Sequence, residues 1–391
     1  MNRIIPLVFL IITFAVVLLG KQRLISVSVN HEIVNVADKD DCNNLRLIQT
    51  DEDEPAEWMT EKEVWKLLRK GTKFMDITDN EDLGTVVKSK SSRQFPIKPS
   101  YQKEVSHYKE KLSTKYMKES LKNFTSFHNR YYRSAHGAAS SIWLYKEIKR
   151  IADRADDYVR ISVRKFKHKW VQISIIARFE GSDRNKEDQV VIIGAHQDSV
   201  NMWMPTNGRS PGADDDGSGT TTILEAFRVL VEGGFKPHLP VEFHWYSAEE
   251  AGLLGSQAIA KKYERQHKDV IAMLQNDMTG YVGNRQESFG IVTDHVDRNL
   301  TDFVKSLIDE YTDIPWANTK CGYACSDHAS WRKAGYPSAF VIESKIDYNN
   351  PYIHTVKDTI DLLNFNHMLE FSKLAVGFAV ELSHIDESEK I

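Results

Sequence analysis

The chain has 391 residues, enough for one large or two ordinary domains, with the 41% hydrophobic and 27% charged content of a globular protein. A net charge of −4 gives no basic excess, so no nucleic-acid partner is expected. The three cysteines, Cys42, Cys321 and Cys325, leave at least one thiol unpaired within the chain.

Residues 1–20 open with Arg3 and continue as an apolar run interrupted by Pro6 and Thr13. That length suits a secretory signal better than a membrane span, which needs about 20 apolar residues. We read a cleaved signal peptide, which predicts a secreted, extracellular protein with no membrane attachment after signal removal. Leu18-Leu19-Gly20 departs from the usual small-x-small cleavage pattern. Residues 21–93 differ in composition from the remainder of the chain. Asp38, Asp40 and Asp41 form one acidic cluster and residues 51–54 another. Thr60-x-x-Glu63 reads as a capping box before Val64, Trp65, Leu67 and Leu68, with Gly71 as the stop. A short strand is expected at 74–78, then a basic, serine-rich stretch from Lys88 to Arg93. This reads as a small folded pro-segment with an exposed linker, the pattern of a zymogen, followed by one large domain over 94–391.

Helical periodicity runs over 101–126 and 138–152, and alternation over 158–166 and 170–179 predicts a hairpin. Residues 190–194 are continuously apolar, the mark of a strand buried on both faces. Beyond it come a helix after Gly219, a strand at 241–246, a helix at 251–263 and strands at 270–274 and 289–293. A helix at 300–311, a strand at 339–342 and a helix at 366–382 complete the chain. This alternation predicts an α/β domain with a central mixed, largely parallel sheet sandwiched by helices.

In such sheets sites collect where strands end. The strand at 190–194 runs into His196-Gln-Asp198, the strand at 241–246 into Ser247-Ala-Glu-Glu250, and the strand at 270–274 into Asn276-Asp277. The stretch ending at Ile342 leads through a loop to His354. Between the first two lies Pro211-Gly-Ala-Asp-Asp-Asp-Gly-Ser-Gly219, whose three adjacent carboxylates repel one another unless something cationic offsets them. Two candidates are the positive end of the following helix and a divalent metal. Ser247-x-x-Glu250 also reads as a capping box, and Asp277 as a turn residue. Taken together, two histidines and three carboxylates at one sheet edge suit two zinc ions sharing one bridging carboxylate.

These motifs, with Cys321-Gly-Tyr-Ala-Cys-Ser-Asp-His328 and Ile353-His-Thr355, resemble the secreted bacterial and fungal leucine aminopeptidases that use two co-catalytic zinc ions. The resemblance spans about residues 95–385. It implies a zinc-exopeptidase-like fold acting on peptides with a free N-terminus, preferring large apolar, leucine-like first residues, in a monomer. It implies that His196 and Asp277 share one zinc ion, that Glu250 and His354 share the other, and that Asp215 bridges them. Glu249 becomes the general base. Asp198 orients His196, and a non-proline cis peptide joins Asp215 to Asp216, a further supporting carboxylate. Cys321 and Cys325 pair, holding Tyr323 at the rim where its hydroxyl reaches the tetrahedral intermediate. Met278, Ile291, Phe340, Ile342, Ile346 and Tyr348 are candidates for the side-chain pocket. The chain departs from the family's aromatic residues at Ile346 and Asn349, which bears on how strict the leucine preference is. Asn123 and Asn299 stand in glycosylation triplets. A carboxypeptidase or a one-zinc glutaminyl cyclase on the same fold, and a binding ectodomain, are the alternatives.

Overall fold

Alternation along the central strands decides the architecture. In the computed structural model, which describes residues 13–19, 22–29, 32–38, 45–86 and 93–385, Val190 and Ile192 enter one apolar cluster. Val191, Ile193 and Ala195 enter another on the opposite face. Successive side chains of a strand point to opposite faces, so a strand apolar at every position must be covered on both sides. Each such isoleucine or valine contributes about 1.5–3 kcal/mol by burial.

The first described elements, β1 (Thr13–Leu19), β2 (Gln22–Val29) and β3 (Glu32–Asp38), form an antiparallel sheet. The rest of the expected signal, Cys42 and residues 87–92 of the expected linker lie outside the described residues. A second small sheet, in the order β5-β4-β6, joins β4 (Arg46–Gln49), β5 (Glu57–Met59) and β6 (Met75–Asp76) beside α1 (Glu61–Arg69). The capping box is present: the Glu63 carboxylate accepts from the Thr60 backbone N–H at 2.7 Å and from its hydroxyl at 2.8 Å.

The large sheet comprises β7 (Ile161–Phe166), β8 (Ser174–Phe179), β9 (Gln189–His196), β10 (Val241–Tyr246) and β11 (Asp269–Asn276), with β12 (Phe289–Val292), β13 (Trp316–Thr319) and β14 (Ser338–Ile342). Its order is β13-β12-β14-β11-β9-β10-β8-β7. The inner block β14-β11-β9-β10 is parallel throughout, so four carboxyl ends emerge along one edge. The flanking pairs β7–β8, β8–β10 and β12–β14 are antiparallel, which makes the sheet mixed.

Helices α2 (Gln102–Lys109), α3 (Thr114–Phe124), α4 (Ala135–Ala152), α5 (Gly217–Glu232), α6 (Leu254–Arg265), α7 (Arg298–Tyr311), α8 (His328–Lys333) and α9 (Phe365–Ser383) cover the faces. Helix α5 is buried from Gly217 to Val231, its polar Ser218, Thr220, Thr221, Thr222, Glu225 and Arg228 included.

Three expectations change. The run 101–126 is two helices, because the Ser113 backbone N–H turns away to Glu225 Oε1 at 2.6 Å and its hydroxyl caps α3. Helix α6 starts at Leu254 rather than 251, because residues 248–253 form a turn with positive φ at Ala248, Gly252 and Leu253. Glu250 therefore lies in the turn and closes no capping box. Strand β13 and helix α8 are additional elements; each is too short to show a period.

Candidate metal centre

His196 is the last residue of β9, and Asp277 follows the last residue of its neighbour β11. Glu249 and Glu250 stand in the turn after β10. Asp214, Asp215 and Asp216 precede α5, and His354 stands midway along the long connection from β14 to α9, at φ 58°. The structure brings these residues together. Asp215 divides its oxygens between the histidines: Oδ1 is 3.0 Å from His196 Nε2 and Oδ2 is 2.9 Å from His354 Nε2. Asp277 Oδ1 lies 3.5 Å from His196 Nε2, and Glu250 Oε2 lies 2.8 Å from His354 Nε2. Glu249 Oε2 is 4.0 Å from His196 Nε2.

Among the described residues two groups could hold an ion, His196 with Asp215 and Asp277, and Asp215 with Glu250 and His354; in each, the ligand atoms lie within 4.8 Å of one another. Asp277 Oδ1 and Glu250 Oε1 are buried without a hydrogen-bond partner. Buried acceptors are otherwise almost always satisfied, so the donor set fits a divalent cation. The mixed nitrogen and carboxylate ligands fit zinc.

The electrostatics agree. Burial opposes charge on every group, yet the carboxylates facing them raise His196 and His354 well above the ordinary imidazole value. The same two imidazoles hold Asp215 below the usual carboxylate range despite its burial. Burial, with Asp277, Glu250 and Asp327 nearby, pushes Glu249 well above it.

The supporting carboxylates are taken up by backbone amides. Asp198 lies 3.4 Å from His196 Nδ1 and accepts from the N–H groups of Glu249 and Glu250 at 3.0 and 3.1 Å. Asp216 accepts from the N–H groups of His196, Gly219 and Met278, tying β9, α5 and the end of β11 together. The peptide between Asp215 and Asp216 is cis. Asp358, which no sequence motif marks, accepts from the N–H groups of Asp214 and Asp215 at 3.0 and 3.1 Å. Glu343 and Arg130 escape the sequence reading too: all three are buried polar residues outside the motifs. Only the closeness of Asp358 to the His354 motif hints at it.

Met278 packs with Val292, Cys325, Phe340 and Ile342, against Cys321, Ile346 and Ile353. Of the other pocket candidates, Ile291 belongs to the main core instead. Tyr348 is largely exposed and carries Arg285 over its ring at 3.8 Å. Cys321 and Cys325 form a disulfide. Tyr323 between them donates its hydroxyl to Gln49 Oε1 at 2.8 Å, so the N-terminal segment covers this rim. The same segment grips the turn carrying Glu249 and Glu250. The Asp76 N–H donates to Gly252 O at 3.0 Å, Gln257 Nε2 donates to Asp76 O at 3.0 Å, and Arg46 donates to Ala251 O. Asn123 is exposed on α3; Asn299 is half-buried and donates to Arg93 O at 3.1 Å.

A parallel block that gathers histidines and buried carboxylates along its carboxyl edge defines a metal-dependent hydrolase. The profile of peptidase family M28 matches residues 174–379, and the chain belongs to that family. It is similar to Leucine aminopeptidase 1 of Chaetomium globosum, with 50% identity over 343 residues, 84% of this chain and 83% of the relative. Leucine aminopeptidase 1 of Neurospora crassa is 50% identical over 341 residues, 84% of this chain and 83% of the relative. Among solved structures, the LapA aminopeptidase of Legionella pneumophila superposes with a TM-score of 0.75 at 30% identity, covering 88% of this chain and 95% of that one.

Proposed function

We propose that this zinc-dependent aminopeptidase is secreted, carries two zinc ions, and releases large apolar, leucine-like residues from the N-termini of peptides. The observation that carries the reading is the pair of Asp215 oxygens, each facing a different histidine. The names of the fungal relatives point to the same substrate class. His196 and Asp277 would hold one ion and Glu250 and His354 the other, with Asp215 shared between them. Zinc bound there supplies Lewis acidity for the scissile carbonyl and lowers the pKa of water toward neutrality.

The chain's own groups do the rest. Glu249, at its Oε2, accepts the proton of the attacking water and passes it to the departing amine. Asp198 holds the two backbone amides of the Glu249–Glu250 turn, and so fixes where that carboxylate points. The apolar cluster of Met278, Val292, Phe340, Ile342, Ile346 and Ile353 receives the first side chain. Tyr323, once free of Gln49, offers its hydroxyl to the developing oxyanion.

Residues 1–20 are the signal, 21–93 a pro-segment and 94–391 the catalytic domain in this reading. The pro-segment engages the Tyr323 hydroxyl and braces the Glu249–Gly252 turn, so it acts both as a folding aid and as an inhibitor. Deleting 21–93 without loss of refolding yield, together with full activity of the uncut chain, would sink that role. Asn123, exposed, is the better glycan acceptor of the two. The protein acts as a monomer, which light scattering checks.

The deciding experiment is hydrolysis of leucine-p-nitroanilide and its N-acetyl analogue by processed protein, with zinc counted in the same sample. Cleavage of the free-amine substrate alone, with two zinc ions per chain, is expected. Cleavage of the acetylated substrate, or one ion at full activity, overturns the reading.

A further inference from the structure

Arg130 lies in the connection between α3 and α4, far in sequence from every metal-centre motif, yet it is fully buried beneath them. Its guanidinium spreads in three directions. Nε donates to Gln197 O at 2.7 Å, Nη2 to Gly212 O at 2.8 Å, and Nη1 to Pro211 O. Its backbone N–H donates to Ser199 Oγ at 3.1 Å, and its carbonyl accepts from Gln172 Nε2 at 2.8 Å. The Phe124 ring stacks against it, 4.3 Å from the guanidinium carbon. One side chain therefore joins the strand end that carries His196 to the loop that carries Asp215. Gly212 leaves room for this: a Cβ there would lie 2.7 Å from Arg130 Nη2 and 2.5 Å from the Ser199 Cβ, and its φ is +52°.

The charge matters as well as the shape. Asp358, Asp216, Asp198 and Asp215 all act electrostatically on Arg130, while burial pulls its own pKa down to about 10, still cationic at neutral pH. Its N–H groups go to main-chain carbonyls. A cation paired directly with Asp215 would compete with a metal for the ligand oxygens; a cation fastened to carbonyls offsets part of the negative charge of the acidic cluster and leaves those oxygens free. The planar fork of arginine does this; lysine brings a point charge and cannot reproduce three fixed directions.

We propose that Arg130 is a positioning residue for the metal centre: it locks the β9 end and the Pro211–Asp216 loop into ligand geometry and thereby sets zinc affinity. The inference rests on the metal reading given above, and the experiment separates the two. Arg130→Met and Arg130→Lys are compared with the wild type in the full chain, stripped and then titrated with zinc against a chromophoric chelator, with melting temperatures of apo and loaded forms. Wild type that binds no zinc overturns the metal reading itself. With wild type binding normally, Arg130→Met is expected to bind zinc about 10- to 100-fold more weakly, the range typical for outer-shell partners of metal ligands. Its zinc-induced rise in melting temperature shrinks in step, because stabilisation follows ligand concentration over Kd. Arg130→Lys, which keeps the charge and loses the fork, falls between. If the apo form melts lower while zinc affinity stays at the wild-type value in both variants, Arg130 is only a structural residue and the proposal fails. It fails equally if neither variant folds, or if Arg130→Lys alone folds and binds zinc as the wild type does.

Discussion

His196 and Asp277 leave adjacent parallel strands whose ladder continues to within two residues of each, whereas Glu250 and His354 stand on a turn and a loop. The strand-borne pair is placed by the same hydrogen bonds that build the sheet. The loop-borne pair is placed by contacts from elsewhere: Asp198 under the Glu250 amide, Arg46 and Asp76 on the turn that carries it, and a main-chain bond from Met202 N–H to His354 O at 3.0 Å. Ladder-held ligands are ordered before an ion arrives; loop-held ligands open locally at low cost and must be ordered on binding. On the two-zinc reading proposed above, one edge of one sheet carries two ion positions of unequal rigidity, joined through Asp215.

That contrast can be broken outright at the residue both halves share. Asp215→Ala should retain neither ion on gel filtration in metal-free buffer and leave no measurable turnover; retention of one ion with activity would show the halves to be independent. Next in size, Glu249→Ala should lower kcat about 10²- to 10⁴-fold with both zinc ions kept, the range for loss of a general base. Loss of zinc in that variant would make Glu249 a ligand instead. The contrast sharpens with single-half variants. His354→Ala should keep the ion at the strand-borne half, while His196→Ala weakens both halves. Stepwise zinc titration of wild type should show two distinct affinities, the strand-borne half filling first; two equal sites would mean that rigidity of the ligand-bearing backbone has no effect.

The smallest effect lies in the support beneath the apolar cluster. His328 is fully buried, stacked on Phe340 at 4.9 Å, and burial pushes its pKa down to about 3. An unfolded histidine titrates near 6.5, so below that pH the unfolded chain takes up a proton that the native state refuses until about pH 3. Stability therefore falls as pH drops through that window, by about 2 kcal/mol at pH 5. His328→Phe should flatten the melting-temperature profile between pH 7 and 4; an unchanged slope would assign the acid sensitivity to other groups.

The sheet and its carboxyl edge were legible because period-two and continuous apolar runs fix strand type, and because β14, β11, β9 and β10 each end beside a motif. His196, Glu250 and Asp277 could be nominated from those ends, and the Asp214–Asp216 run and His354 from the connections between them; the choice of Asp215 within the run came from the family resemblance. Their supports could not be nominated in this way. Arg130, Asp358 and Glu343 are polar residues that read as surface in one dimension, and only the fold turns them inward. The break between α2 and α3 was hidden for a related reason: Ser113 ends a helix through Glu225, more than 100 residues away. Strand β13, Trp-Ala-Asn-Thr, is half-buried at the sheet edge and carries no alternation to detect.

The hold of residues 45–86 on the Glu249–Gly252 turn has a kinetic consequence. Asp76, Arg46 and Gln257 make that contact within one chain, and Asp82 and Glu264 extend it through Lys261 and the Gly84 N–H. A proteolytic nick between Val86 and Arg93 removes the tether but none of these bonds. The severed piece becomes a second molecule, held by an ordinary dissociation constant instead of a high effective concentration. On the inhibitory role proposed above, onset of activity lags behind the cut and quickens on dilution.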